Sequence, residues 1–182
     1  MPVLDEVQVH PLAAGRGASF EGGQVGVLGT VGTVVSESYP MELEKWSGGR
    51  IVSTVQEACP MWVPIVENNE IGSAGADYFI KKNIDNILDK DRELDTIILG
   101  CTHYPLLKNV IQTKIGKRVE LIDSSICISE GIKHFLDNNR DIERQLGQNG
   151  NMSLYVSDVT DQFKKIAQLT LKTSITFECV KI

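Results

Sequence analysis

A cysteine, a threonine and a histidine stand where a buried strand gives way to a helix. The apolar segment DTIILG is followed directly by Cys101, Thr102 and His103. In open α/β sheets, ligands bind at the carboxyl ends of the strands. A helix N-terminus and a neighbouring imidazolium both favour the thiolate form of a cysteine, and free backbone N–H groups there can hold a carboxylate. Taken alone, the triplet fits a reactive thiol site and, equally well, a buried cysteine beside a polar turn residue.

Two other segments offer weaker signals of the same kind. GTVGT places the hydroxyls of Thr30 and Thr33 after another apolar run, but it lacks the third glycine and the lysine of nucleotide-binding loops. It therefore indicates either an anion site or a structural turn. Glu67 follows a proline-bounded apolar stretch and Asp123 ends RVELID, and a single carboxylate in such a place usually faces solvent.

Composition narrows the classes of protein. The 182 residues carry 18 Lys and Arg against 24 Asp and Glu, a net charge of -6, which argues against nucleic-acid binding. No apolar run is long enough to span a membrane, and the N-terminus lacks the positive region of a signal peptide, so we expect a cytoplasmic protein. The four cysteines show no C-x-x-C spacing and predict neither a zinc site nor a disulfide scaffold. Cys59 and Cys179 are expected to be packing residues, and Cys127 to lie on a helix.

Alternation of apolar runs with amphipathic stretches between Gln24 and Ile122 predicts repeated β-α units. The predicted strands are QVGVLGT, RIVSTVQ, DTIILG and RVELID. Helices are predicted after Ser36 or Ser38 as N-cap, over 76–88 with Tyr78 on its apolar face, after Cys101, and from Ser124 to Asn139. Residues 137–151 are polar and predict a loop. The tail predicts a strand, a helix opened by Ser157 or Asp158, and a last strand.

Four segments together resemble successive motifs of the glutamate racemase family, within the aspartate/glutamate racemase superfamily. They are GVLGTVGTVVSESYP, EACPMWVPIVENNE, DTIILGCTHYPLL and ELIDSS, in the family's order between about Val25 and Ser125. The resemblance implies a soluble cytoplasmic enzyme without a cofactor or metal, which makes D-glutamate for peptidoglycan and so serves cell-wall formation and cell shape. It also implies an α/β fold with a parallel-sheet sandwich domain of this racemase type.

The resemblance assigns roles by motif. The family inverts an amino-acid Cα with two cysteines on opposite domains, and Cys101 looks like one of them, with His103 tuning and relaying its proton. Thr30, Thr33, Thr102 and His103 are implied to contact the substrate glutamate, and Glu67 to assist the acid–base groups.

The family's other half-site, with a D-S-G motif and a cysteine before an N-T-A-type segment, is not found. We therefore expect an incomplete second domain, with 1–22 as a remnant strand and linker, 23–124 as a complete racemase domain, and 125–182 as a segment whose packing partner is missing. An uncovered apolar face promotes association, and we expect a homodimer. An aspartate or related racemase, a noncatalytic glutamate-binding remnant and a thiol hydrolase using Cys101 and His103 remain as rival functions.

Overall fold

The structure, a computed structural model, describes residues 23–49, 51–147, 149, 153–171 and 176–180. Its strands, in chain order, are β1 (Gly23–Gly29), β2 (Ile51–Ala58), β3 (Thr96–Gly100), β4 (Glu120–Asp123), β5 (Leu154–Val156) and β6 (Phe177–Cys179). Its helices are α1 (Val31–Val35), α2 (Ser38–Ser47), α3 (Trp62–Glu67), α4 (Ala74–Lys90), α5 (Lys108–Ile115), α6 (Ser124–Asn138), α7 (Arg140–Glu143) and α8 (Asp161–Leu171), with a 3-10 helix at Tyr104–Leu107. The expected remnant at 1–22 lies outside the described residues.

The first four strands form one parallel sheet in the order β2-β1-β3-β4. Side chains alternate between its two faces, as the pleat requires. Leu28, Ile97 and Leu99 face a core shared with α3, α4, α5 and the 3-10 helix. Val27 and Ile98 face a second core shared with α2 and α6. The predicted α/β sandwich with a parallel sheet is confirmed, and helices cover both of its faces.

Gly26 lets helix α4 approach strand β1 closely. A Cβ at this position would lie 2.9 Å from Ile87 Cδ1 and 3.1 Å from Ile97 Cγ1. The glycine is therefore a packing requirement of the larger core rather than a turn signal.

The residues at which α1 and α2 begin differ from those that the sequence predicts. The GTVGT segment, predicted to be an anion site or a structural turn, contains the first turn of helix α1, which is capped by Thr30, whose Oγ1 accepts from Thr33 N. Neither Ser36 nor Ser38 caps α2, because Glu37 takes that position in a left-handed conformation with φ of 52°. Ser36 instead donates to the Thr33 carbonyl at 2.8 Å. The serine prediction was wrong because serine hydroxyls satisfy turns as readily as helix ends.

Three further expectations need correction. Tyr78 is 61% exposed and lies off the buried face of α4. The predicted loop at 137–151 contains the short helix α7. Helix α8 starts at Asp161, and Thr160 Oγ1 accepts from Phe163 N, so neither Ser157 nor Asp158 opens it. No helix among the described residues has both the length and the apolar character of a membrane span.

The tail forms its own βαβ unit. Strands β5 and β6 pair in parallel with each other, and the Phe163 and Phe177 rings pack at 5.1 Å between α8 and β6. In the part of the chain that the structure describes, neither of the two cores includes a residue beyond Cys127. Helix α8 also contacts α3. That the tail is a loosely held segment stays a prediction.

Glu57 is a buried carboxylate at the end of β2. Asn83 and Asn86 of α4 each donate to its Oε1 at 2.8 Å, and Lys90 Nζ lies 2.8 Å from its Oε2. Burial alone raises the pKa of Glu57, but the hydrogen bonds from Lys90, Asn86 and Asn83 outweigh it and hold the pKa below 4.5. The ionised carboxylate therefore fastens β2 to α4.

We expect Glu57→Gln to lower the free energy of unfolding by about 1–3 kcal/mol at pH 7, because a charge-assisted network is lost. A carboxyl whose pKa is lowered on folding stabilises the protein above its unfolded pKa and loses that effect as pH falls through the folded value. The difference between wild type and variant should thus shrink below about pH 4.5 in urea unfolding. Glu44→Gln, an exposed change on α2, is the control. A difference independent of pH would contradict the prediction.

Candidate active site

Three chain segments emerge together at the carboxyl edge of the sheet. Gly29 of β1 pairs with Ala58 of β2 and with Gly100 of β3. The residues that follow these strand ends, Thr30, Cys59 and Cys101, consequently leave the sheet at the same level. This is the edge at which the sequence predicted a site.

Cys101 and His103 are in contact in the turn after β3. Cys101 Sγ lies 3.9 Å from His103 Nδ1, and Thr102 Oγ1 lies 3.5 Å from the same nitrogen. Cys101 is 8% exposed, whereas the His103 side chain is 28% exposed. The backbone N–H of Tyr104 donates to the Cys101 carbonyl at 3.1 Å and closes the turn. The thiol is thus nearly buried, and the imidazole beside it reaches toward solvent.

Glu67 meets the other side of the same imidazole. It is the last residue of α3, a helix of six residues. Pro60 precedes this helix, and Pro64 lies in its first turn, where a proline does not break the helix. Glu67 Oε1 lies 3.3 Å from His103 Nε2. A carboxylate, an imidazole and a thiol therefore stand in sequence, with one ring nitrogen toward each neighbour, an arrangement that can move a proton to and from sulfur.

Thr30 and Thr33 form a hydroxyl pair at the end of β1. Their Oγ1 atoms lie 2.9 Å apart, and Thr30 Oγ1 accepts from Thr33 N at 3.2 Å. Both predictions for GTVGT find support here, since Thr30 caps a helix and Thr30 and Thr33 also line a cavity.

A cleft of about 590 Å³ joins these groups. Its lining residues are Thr30, Gly32, Thr33, Ser36, Ser38, Tyr39, Val63, Gly100, Cys101, Thr102 and His103. Among the described residues, its lining includes no lysine or arginine, and six of the lining residues carry a hydroxyl group. Glu67 is outside this lining and reaches the cleft through His103. Within the described part of the chain, no cluster of three His, Cys, Asp or Glu side chains could hold a metal ion.

Tyr39 packs closely against Gly100 beside the cleft, where a larger residue would clash with its ring. A Cβ on Gly100 would lie 3.0 Å from Cζ and from the hydroxyl oxygen of Tyr39. Tyr39 is 3% exposed and belongs to the second core. Ser36, Ser38 and Tyr39 line the cleft, although the sequence pattern did not predict them as site residues. Their positions after GTVGT were the available signal.

The other cysteines lie elsewhere. Cys59 is buried, as expected for a packing residue, and its Sγ donates to the Glu57 carbonyl at 3.6 Å. Burial, and then the Glu57 carboxylate, raise the pKa of the Cys59 thiol, so it stays protonated. Cys127 is buried on α6. Cys179 is exposed on β6, which overturns its predicted packing role.

A family model described as Asp/Glu/Hydantoin racemase matches residues 1–128. The chain belongs to this family. Its curated relatives include the glutamate racemase of Streptococcus agalactiae serotype III (strain NEM316), which is 35% identical over 178 residues. That match covers 98% of this chain and 65% of the relative. The glutamate racemase of Streptococcus equi subsp. equi (strain 4047) is also 35% identical, over all of this chain and 66% of the relative.

Solved structures of the same family match the fold. A glutamate racemase isoform from Bacillus anthracis superposes with a TM-score of 0.79 at 29% identity, over 96% of this chain and 63% of that one. A glutamate racemase from Francisella tularensis in complex with D-glutamate gives a TM-score of 0.79 at 25% identity, over 94% and 62% of the two chains. This racemase-family chain thus spans about two thirds of the length of the relatives it matches.

Proposed function

We propose that this chain supplies a thiol acid–base site for cofactor-independent racemisation of glutamate. The observation that carries the proposal is the line of Glu67, His103 and Cys101 opening on a hydroxyl-lined cleft. Relatives that match nearly the whole chain are named glutamate racemases, and one solved relative is described in complex with D-glutamate.

The proposed chemistry is a proton transfer at Cα. The Cys101 thiolate takes the Cα proton, so that a C–H bond breaks and an S–H bond forms, and the carbanion then takes a proton from a second acid on its opposite face, which is left as the conjugate base. His103 balances charge beside the sulfur and relays its proton, and Glu67 stabilises the protonated imidazole. Thr30, Thr33 and Thr102 hold the substrate carboxylates with hydroxyls and nearby backbone N–H groups. A thiol that lines the cleft and contacts an imidazole suits this reaction, because proton transfer needs direct contact between the sulfur and the Cα–H group.

Inversion needs a second acid–base group on the opposite face of Cα. Among the described residues, Cys101 is the only cysteine that lines the cleft. Cys59 and Cys127 are buried in the two cores, which makes them poor candidates for the second group. We therefore propose that the second group approaches from the open side of the cleft, from a part of the protein other than these cores.

Deuterium exchange at Cα tests the proposal and separates its rivals. The purified chain is incubated in D₂O with L-glutamate and, separately, with D-glutamate, and both deuterium entry and optical inversion are followed. Inversion with deuterium entry supports a complete racemase site. Deuterium entry into one enantiomer without inversion supports a site with a single acid–base group on one face of Cα. Binding of glutamate without exchange identifies a binding protein and refutes the catalytic proposal, and faster exchange with aspartate reassigns the substrate.

The proposed cellular role follows from the proposed reaction. D-glutamate made in the cytoplasm would serve peptidoglycan synthesis, and through it cell-wall formation and cell shape. A glutamate-specific reaction in the test above is the condition for this role.

We further propose that the protein self-associates through helix α6. Ile132 and Phe135 lie one turn apart and are 56% and 53% exposed. Large side chains exposed together in this way mark an interaction surface.

We expect light scattering to give about twice the chain mass for the wild type, since a single symmetric interface is the commonest arrangement. Phe135→Glu should halve that mass at the same concentration. Lys133→Gln, on the same exposed helix, is the matched control. A monomeric wild type would contradict the proposal.

A further inference from the structure

We propose that Tyr104 is a positioning residue whose hydroxyl sets the separation between Glu67 and His103. The inference rests on the proposed function, in which these two side chains act on Cys101. Tyr104 itself lies outside the cleft lining.

Tyr104, the first residue of the 3-10 helix, is fully buried against the start of α3. Its hydroxyl donates to the Cys59 carbonyl at 3.1 Å, and its ring packs on Trp62 with centroids 4.9 Å apart and planes tilted by 58°. Burial, with Cys59 and Cys101 close by, raises the pKa of Tyr104, so the hydroxyl keeps its proton and remains a donor.

The Cys59 carbonyl connects both helices. It accepts from the Tyr104 hydroxyl and also from the backbone N–H of Trp62 at 3.2 Å. Trp62 begins α3, whose last residue is Glu67, and Tyr104 directly follows His103. One oxygen atom thus holds the start of the element that carries Glu67 and the element that follows His103.

This link matters because the contact that it governs joins two partly exposed side chains. The Glu67 side chain is 40% exposed and that of His103 is 28% exposed, and their contact spans 3.3 Å. Contacts between partly exposed charged groups are weak unless the backbone holds them in place. Removing the Tyr104 hydroxyl leaves the ring and its packing but frees α3 to shift against the 3-10 helix.

The test compares Tyr104→Phe with Tyr78→Phe, a matched loss of a hydroxyl from an exposed tyrosine on α4. Two readouts are measured: the ¹⁵N shift of His103 Nε2, assigned with His103→Gln, and the rate of Cys101 alkylation by iodoacetamide. The same pair of tyrosine variants is then made in a Glu67→Gln background. Cooperative urea unfolding verifies that each variant is folded.

We expect Tyr104→Phe to move the Nε2 shift toward its Glu67→Gln value and to slow alkylation about 3- to 10-fold, with no effect of Tyr78→Phe. In the Glu67→Gln background the effect of Tyr104→Phe should fall below about twofold, because the two changes act through one contact. Equal effects in both backgrounds, or an unchanged Nε2 shift, overturn the proposal. Neither readout needs turnover, so failure to exchange deuterium would refute the proposed function and leave this link standing.

Discussion

Replacing Cys101 by alanine is expected to reduce deuterium entry at Cα of glutamate by about 10²- to 10⁴-fold or more, the range for a lost general acid–base group. Sγ is the atom that contacts His103 Nδ1, at 3.9 Å, and Cys101 is the only described cysteine that lines the cleft. No neighbouring hydroxyl replaces a thiolate as a base at neutral pH. The measurement is exchange in D₂O with each enantiomer separately.

The fold of the Cys101→Ala variant should remain intact. Cys101 is a small side chain at the edge of the larger core, 8% exposed, so alanine leaves little empty space. Cys59→Ala is the matched control, since Cys59 is a buried thiol directly after strand β2 and lies outside the cleft lining. Full exchange by Cys101→Ala, or an equal loss in Cys59→Ala, would remove Cys101 from the proposed mechanism.

The placement of the cleft could be predicted because it depends on local patterns. An apolar run ending in glycine predicts where β1 and β3 stop, and parallel pairing of Gly29 with Gly100 then brings Thr30 and Cys101 to one edge. The contact between Glu67 and His103 could not be derived from such patterns. It depends on the path of a short proline-containing helix and on the 35 residues of chain between Glu67 and His103, and only the family resemblance suggested Glu67.

The hydrogen-bonded network around Glu57 could not be predicted from the sequence. Asn83, Asn86 and Lys90 follow a helical spacing and mark one face of α4, yet they read as ordinary surface polar residues until β2 brings a carboxylate against them. The partner lies on an edge strand, and side-chain pattern does not reveal which strand packs on which helix. The sequence pattern also placed Tyr78 on the buried face of α4, because a tyrosine ring is apolar enough to fit there, whereas Tyr78 is exposed.

Trp62→Ala is expected to lower the free energy of unfolding by about 3–5 kcal/mol, the usual cost of truncating a buried aromatic side chain. Trp62 is fully buried in the larger core and packs on the Tyr104 ring at 4.9 Å. Its Nε1 makes no hydrogen bond to any described residue, so the loss is one of packing alone. Urea unfolding followed by far-UV circular dichroism measures it.

Because the Trp62 Nε1 makes no hydrogen bond to a described residue, a second variant can measure the packing contribution of the ring separately from the cost of burying its N–H group. Trp62→Phe keeps most of the apolar contact and removes a buried N–H without a partner, whose burial costs about 1–3 kcal/mol. We therefore expect Trp62→Phe to cost much less than Trp62→Ala. Met61→Ala, at the adjacent position and 38% exposed, is the control and should cost under about 1 kcal/mol. If Trp62→Ala cost no more than Met61→Ala, the core beneath Glu67 would not depend on this ring, and the prediction would be wrong.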